Sequence, residues 1–143
     1  MNYIDTSFVA LSLLGQEGAS RAASIVNRLH REDGLISSVL FRVELLRLTH
    51  RTGTDPAKAQ EIVDRVRLVD INDDVIERAC AMTEELKSLD AIHLATALLL
   101  DDPGDPVTVF THDARLVHAA RARRPPRRHR AEHRTPARTR FAG

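Results

Sequence analysis

The sequence predicts an α/β fold, a three-layer sandwich with a central parallel sheet. Three observations predict it. Short β-like runs alternate with longer helical patterns, which calls for crossover connections and therefore parallel strands. The runs are apolar along most of their length, as strands covered on both faces are. The chain has 143 residues, 43% of them hydrophobic, enough for one core and one domain.

The strand runs are Asn2–Ile4, Leu35–Ser37, Leu68–Ile71 and Val107–Phe110, each brief and bearing β-branched or aromatic residues. Between the first two, Gly18–Arg31 sets Ala22, Ile25, Val26 and Leu29 on one helical face. Val39–Arg51 is apolar on most sides and predicts a largely buried helix. Asp55-Pro56 pairs a capping side chain with a first-turn proline and opens a helix running to about Val66. Asp73–Leu86 carries Val75, Ile76, Ala79, Cys80 and Met82 at helical spacing. Asp90–Leu100 is strongly apolar and is stopped by Asp101-Asp102-Pro103-Gly104-Asp105-Pro106. Asp113–Arg123 gives a last helix with Leu116, Val117 and Ala120 inward.

The net charge of +1 conceals two opposite parts. Residues 1–120 hold 12 basic and 19 acidic side chains, a charge of −7, whereas residues 121–143 hold nine arginines and one acid, a charge of +8. The second segment has three prolines and no apolar period, so it predicts a disordered or loosely attached tail. The single cysteine, Cys80, excludes an internal disulfide and suits a reducing compartment. No apolar run approaches the ~18 residues that span a bilayer, and the N-terminus lacks the pattern of a signal peptide. A cytoplasmic protein with no membrane partner is expected.

Ligands of parallel α/β sheets bind beyond the carboxyl ends of the strands. Asp5, beside Thr6 and Ser7, follows the first strand; Asp113 follows the fourth, after Thr111. Asp90 opens an apolar helix, and Glu44 sits within the helix Val39–Arg51. Singly, each aspartate also suits a helix N-terminus, and Glu44 also suits a solvated stripe with Arg47 and Arg51. Together they place up to four carboxylates in one crevice, which a hard divalent cation would neutralise. Magnesium suits such a site best, with manganese possible, and no Cys/His cluster favours zinc. His93, one turn after Asp90, is read as a packed or hydrogen-bonded side chain over a ligand. His112 is read as an exposed loop residue.

At these residues the sequence resembles a PIN-domain ribonuclease, specifically a VapC-type toxin of bacterial toxin–antitoxin pairs. The resemblance is carried by Tyr3-Ile4-Asp5-Thr6-Ser7, by Ser37-Ser38-Val39 through Val43-Glu44-Leu45, by Leu89-Asp90-Ala91-Ile92-His93-Leu94-Ala95-Thr96-Ala97, and by Val109-Phe110-Thr111-His112-Asp113-Ala114-Arg115-Leu116. It implies a PIN-like sandwich, usually of five strands, and a Mg²⁺-dependent endoribonuclease. Asp5, Glu44, Asp90 and Asp113 match the family's metal-binding acids, and Thr6, or its neighbour Ser7, and Thr111 its orienting hydroxyls. Partners are implied too: a second copy, and a VapB-type antitoxin that places a peptide near the active site and carries the DNA-binding part, so that operator DNA is met only through it.

The implied reaction is hydrolysis of an RNA phosphodiester by metal-activated water. Aromatic residues are few and fall in core elements, so RNA recognition is expected to rest on phosphate contacts, with Arg42, Arg47, Arg115 and the tail as candidates. A nuclease domain over 1–120 departs from the family at its end. The final apolar strand is replaced by the Arg/Pro-rich 121–143, either a genuine basic arm or the product of a shifted reading frame. The competing function is a catalytically impaired PIN-fold protein that only binds its antitoxin. Phosphatase and phosphoacceptor readings of Asp5 fail on their partners: Ser7 stands where the first needs an acid, and neither Lys58 nor Lys87 follows a strand as the second requires.

Overall fold

The chain begins with the strand β1 (Asn2–Ile4), and everything else is arranged around it. The computed structural model describes residues 1–32, 34–123 and 141–142. After β1 come the helices α1 (Thr6–Leu14) and α2 (Ala19–Glu32), then β2 (Leu35–Ser38), α3 (Leu40–Thr52), α4 (Pro56–Val63) and β3 (Val66–Val69). The second half contains α5 (Asp73–Cys80), α6 (Ser88–Leu100), β4 (Thr108–Phe110), α7 (Ala114–Ala122) and a two-residue β5 (Phe141–Ala142). The sheet order is β3-β2-β1-β4-β5, and every pairing is parallel.

Successive residues of a strand point to opposite faces, and two cores follow from that alternation. Ile4, Leu35 and Phe110 join Phe8, Val26, Leu29, Phe41, Leu45 and Val63 on the α1–α4 side. Tyr3, Ile36 and Val109 join Leu94, Ala97, Leu116 and Ala120 on the α6–α7 side. The sheet is thus covered on both faces, as its mostly apolar strands predict. The chain turns from β1 to β2 on one side while β4 lies on the other, which leaves a crevice at the carboxyl ends of β1 and β4.

Several elements differ from the sequence-based expectation. Helix α1 was not expected, because Thr6–Leu14 is apolar on nearly every side and carries no amphipathic period. It is bounded by Asp5, whose side chain accepts from the Ser7 N–H, and by Gly15, whose φ of 63° is the left-handed conformation glycine adopts without strain. Helix α3 is less buried than expected: Phe41, Leu45 and Thr49 face inward, whereas Val43 is 51% exposed. Strand β3 starts two residues earlier than its apolar run suggests, because α4 ends at Val63, and α5 stops at Cys80 rather than Leu86.

Beside the four strands read from the sequence, the two-residue β5 pairs parallel with β4 through Val109↔Phe141 and Phe110↔Ala142. Two residues are too few to show a period in a sequence, but β4, which would be the sheet edge without them, offers them its backbone groups. Of the expected tail over 121–143, residues 121 and 122 finish α7; apart from these, Arg123 and β5, it lies outside the described residues.

Arg123 ties the end of α7 to the loop before α6, donating from Nε to Glu84 Oε1 at 2.6 Å and from Nη2 to Oε2 at 2.8 Å. That fork holds the Glu84 carboxyl down at about 2. A carboxyl depressed on folding contributes stability that is complete above its ordinary value and is lost as pH falls through the depressed one. Arg123→Ala is therefore expected to cost about 0.5–1 kcal/mol at pH 7 in urea unfolding, with the difference from wild type shrinking below pH 4.

Candidate active site

Four acids from four separate segments line one cleft of about 590 Å³ at the carboxyl end of the sheet: Asp5, Glu44, Asp90 and Asp113. Asp5 arrives at the end of β1 and is nearly buried. Its Oδ2 accepts from Thr111 Oγ1 at 2.9 Å and from Ser7 Oγ at 2.5 Å, and Ser7 Oγ in turn accepts from the His112 N–H at 2.9 Å. Asp113 caps α7, with its Oδ1 accepting from the Arg115 and Leu116 N–H groups, while its own N–H donates to Thr111 Oγ1 at 3.0 Å. Thr111 thus holds both Asp5 and Asp113. The capping role and the cleft position are compatible, since Asp5 and Asp113 fill both.

Glu44 lies on α3, half-buried, and its Oε2 accepts from Thr6 Oγ1 at 2.8 Å. The same oxygen is 2.7 Å from His93 Nε2. His93 is fully buried on α6, and its Nδ1 is 2.8 Å from the Tyr3 hydroxyl. The packed, hydrogen-bonded histidine read from the sequence is therefore observed, although its partners were not foreseen. Asp90 stands in the first turn of α6, where its negative charge meets the positive end of the helix.

The charges reflect this crowding. Burial raises the Asp90 carboxyl above its ordinary value, and the carboxylates of Asp113, Asp5 and Glu44 raise it further, against the pull of His93. Burial would raise Glu44 as well, but the hydrogen bond and charge of His93, the Thr6 hydroxyl and the Arg51 guanidinium outweigh it and bring it below the usual range. Burial opposes a charge on His93, yet the Glu44 hydrogen bond and the charges of Asp5, Glu44 and Asp90 lift its pKa. Burial also pushes the Tyr3 phenol far up, so it remains a neutral hydroxyl.

A carboxyl raised by burial and by three neighbouring carboxylates marks a site short of positive charge, and oxygen donors suit a hard divalent cation. The residues present fit Mg²⁺ or Mn²⁺. Among the described residues, the potential donor atoms of Asp5, Glu44 and His93 lie within 4.8 Å of one another.

The basic candidates separate. Arg47 lines the cleft, but Arg42 and Arg115 are exposed and stand outside its lining. Arg51 lines it as well, one turn beyond Arg47; the i, i+4 spacing on α3 is the signal that could have found it. Leu40, Val43, Leu48 and Leu89 add an apolar rim. His112 is exposed, its ring stacked on buried Phe8 at a centroid distance of 4.9 Å and 9° between planes. At the opposite end of the sheet, a cavity of about 540 Å³ offers, among the described residues, one carboxylate, Asp105, already paired with the N-terminal amine at 2.6 Å.

The fold is similar to that of a chain in a toxin–antitoxin complex from Klebsiella pneumoniae, at 21% identity and a TM-score of 0.59, over 79% of this chain and 87% of that one. It is also similar to VapC20 of Mycobacterium tuberculosis, a toxin that cleaves the sarcin-ricin loop, at 21% identity and a TM-score of 0.63, over 83% of this chain and 95% of that one. At such identities the likeness speaks for the fold. No curated protein sequence matches the chain. The model of the PIN domain matches residues 3–122 and so spans both cores and all four acids of the cleft. The chain belongs to the PIN domain family.

Proposed function

We propose that this protein is a Mg²⁺-dependent endoribonuclease, acting in the cytoplasm as the toxin of a VapBC-type toxin–antitoxin pair. The observation that supports the reading best is the cleft itself: four carboxylates from separate segments, with the Asp90 carboxyl raised by burial and by the other three. The toxin part rests on membership of the family and on the two fold neighbours, one a toxin and the other from a toxin–antitoxin complex.

A divalent ion held by Asp5, Glu44, Asp90 and Asp113 would supply a water of lowered pKa as the nucleophile for the RNA phosphodiester. Thr111 and Ser7 hold the Asp5 carboxylate in one orientation, and the α7 amides fix Asp113. Arg47 and Arg51, on the α3 wall, offset the acids and offer positive charge to the substrate backbone. The partners proposed are a VapB-type antitoxin over the cleft and a second copy of the chain.

Incubation of the purified protein with circular single-stranded RNA and Mg²⁺ tests this. Linearised product supports an endonuclease. Intact circles, from a protein that still binds the small antitoxin expected from the adjoining reading frame, support the non-cleaving alternative. Arg47→Ala and Arg51→Ala are each expected to raise KM for RNA and to lower the slope of log affinity against log salt by about one, as loss of a phosphate contact does. An unchanged slope in both would remove them from the substrate path.

A further inference from the structure

Behind the cleft lies a buried polar chain that the proposed reaction does not use. Tyr3 and His93 are both 0% exposed and lie 90 positions apart, yet they meet at 2.8 Å. The Tyr3 oxygen accepts from the Ser38 N–H at 3.1 Å. The Ser37 and Thr96 hydroxyls also adjoin the Tyr3 hydroxyl, but each commits its own hydrogen to a carbonyl, Ser37 Oγ to Ile4 at 2.7 Å and Thr96 Oγ1 to Ile92 at 2.8 Å. On the far side of the imidazole, Nε2 is 2.7 Å from Glu44 Oε2.

These partners determine where the hydrogens are. An ionised carboxylate only accepts, so Nε2 carries a hydrogen whatever the total charge of the ring. In the neutral ring Nδ1 is then an acceptor, and the Tyr3 O–H is the donor that faces it. A nitrogen that carries a hydrogen has no lone pair for a cation. The nearness of His93 to Asp5 and Glu44 is therefore not ligation. Glu44 Oε2 already accepts from both Thr6 and His93, which leaves Oε1 as the oxygen without a hydrogen bond among the described residues.

We propose that Tyr3 and His93 are positioning residues, Tyr3 fixing the imidazole and His93 fixing Glu44, so that Glu44 offers a single oriented oxygen, Oε1, to the divalent cation while His93 stays outside its coordination shell. This rests on the metal-dependent reading above. It adds that one ligand is preorganised by a Ser38–Tyr3–His93 chain reaching from β2 across β1 to α6. Outer partners of metal ligands act in this way, and their loss commonly weakens metal binding about 10–100-fold.

Mn²⁺ titration of the full chain, read by the electron paramagnetic resonance of the free ion, tests the proposal without relying on activity. Wild type is expected to bind saturably. His93→Leu, which cannot donate to Glu44, is expected to bind about tenfold or more weakly. His93→Gln, whose side-chain amide can still donate there, is expected to stay within about threefold of wild type. Tyr3→Phe keeps the ring, removes only the hydroxyl, and is expected to fall between the two. Each titration is run well below the unfolding temperature of the variant. If His93→Leu binds as wild type does, the proposal is overturned. If His93→Gln binds as poorly as His93→Leu, His93 is itself a ligand, and the proposal is overturned in a different way. Should His93→Leu not fold, ring ¹⁵N spectra of wild type decide: a hydrogen on Nε2 supports the proposal and a bare Nε2 overturns it. Absence of Mn²⁺ binding in wild type would instead refute the metal-dependent reading, and this inference with it.

Discussion

Asp90→Asn is expected to lower Mg²⁺-dependent RNA cleavage by more than about 100-fold while leaving the metal-free protein as stable as wild type, or more so. The first part follows from losing a proposed ligand, since even outer-shell losses cost up to about 100-fold. The second follows from the sign of the Asp90 shift. Burial, then Asp113, Asp5 and Glu44, raise this carboxyl. A carboxyl raised on folding favours the folded state only while protonated, and that advantage is lost as pH rises through the raised value. At neutral pH in EDTA the Asp90 charge is therefore a burden that asparagine removes. With Mg²⁺ at 100 times its dissociation constant, wild type should gain about 2.7 kcal/mol and the variant far less. Thermal unfolding with and without Mg²⁺, beside a cleavage assay, checks both parts. Cleavage at the wild-type rate would remove Asp90 from the site. A variant less stable in EDTA would refute the repulsion.

Phe41→Ala is expected to cost about 3–5 kcal/mol, the usual range for deleting a buried phenylalanine. Phe41 is fully buried in the α1–α4 core at the start of α3, one turn before Glu44. Against a typical domain stability of about 5–15 kcal/mol, that is a large share. Urea unfolding measures it, and a loss under about 1 kcal/mol would contradict the packing. Because α3 also carries Glu44, Arg47 and Arg51, the same core contact anchors one wall of the cleft.

The parts of this structure legible in the sequence are those set by local pattern. Short apolar runs gave four parallel strands near their observed places, and the acids following β1 and β4 pointed to the crevice between them. Helix α1 was missed because a segment apolar all round has no period to read. β5 was missed because two residues carry no pattern. The neighbours of His93 were missed for a different reason. Tyr3, Glu44 and His93 are joined only by the way α3 and α6 pack across β1, and no spacing along the chain encodes that meeting. The arginines show the same limit: Arg42 and Arg47 both lie on α3, but only Arg47 turns to the cleft.

The central claim is that the four-acid cleft cleaves RNA only when it holds a divalent cation. Cleavage of RNA by the purified wild-type chain, measured first with Mg²⁺, then after excess EDTA, then after Mg²⁺ is restored above the chelator, tests it most directly. The account predicts cleavage, its loss, and its return. Cleavage that continues undiminished in EDTA would contradict it.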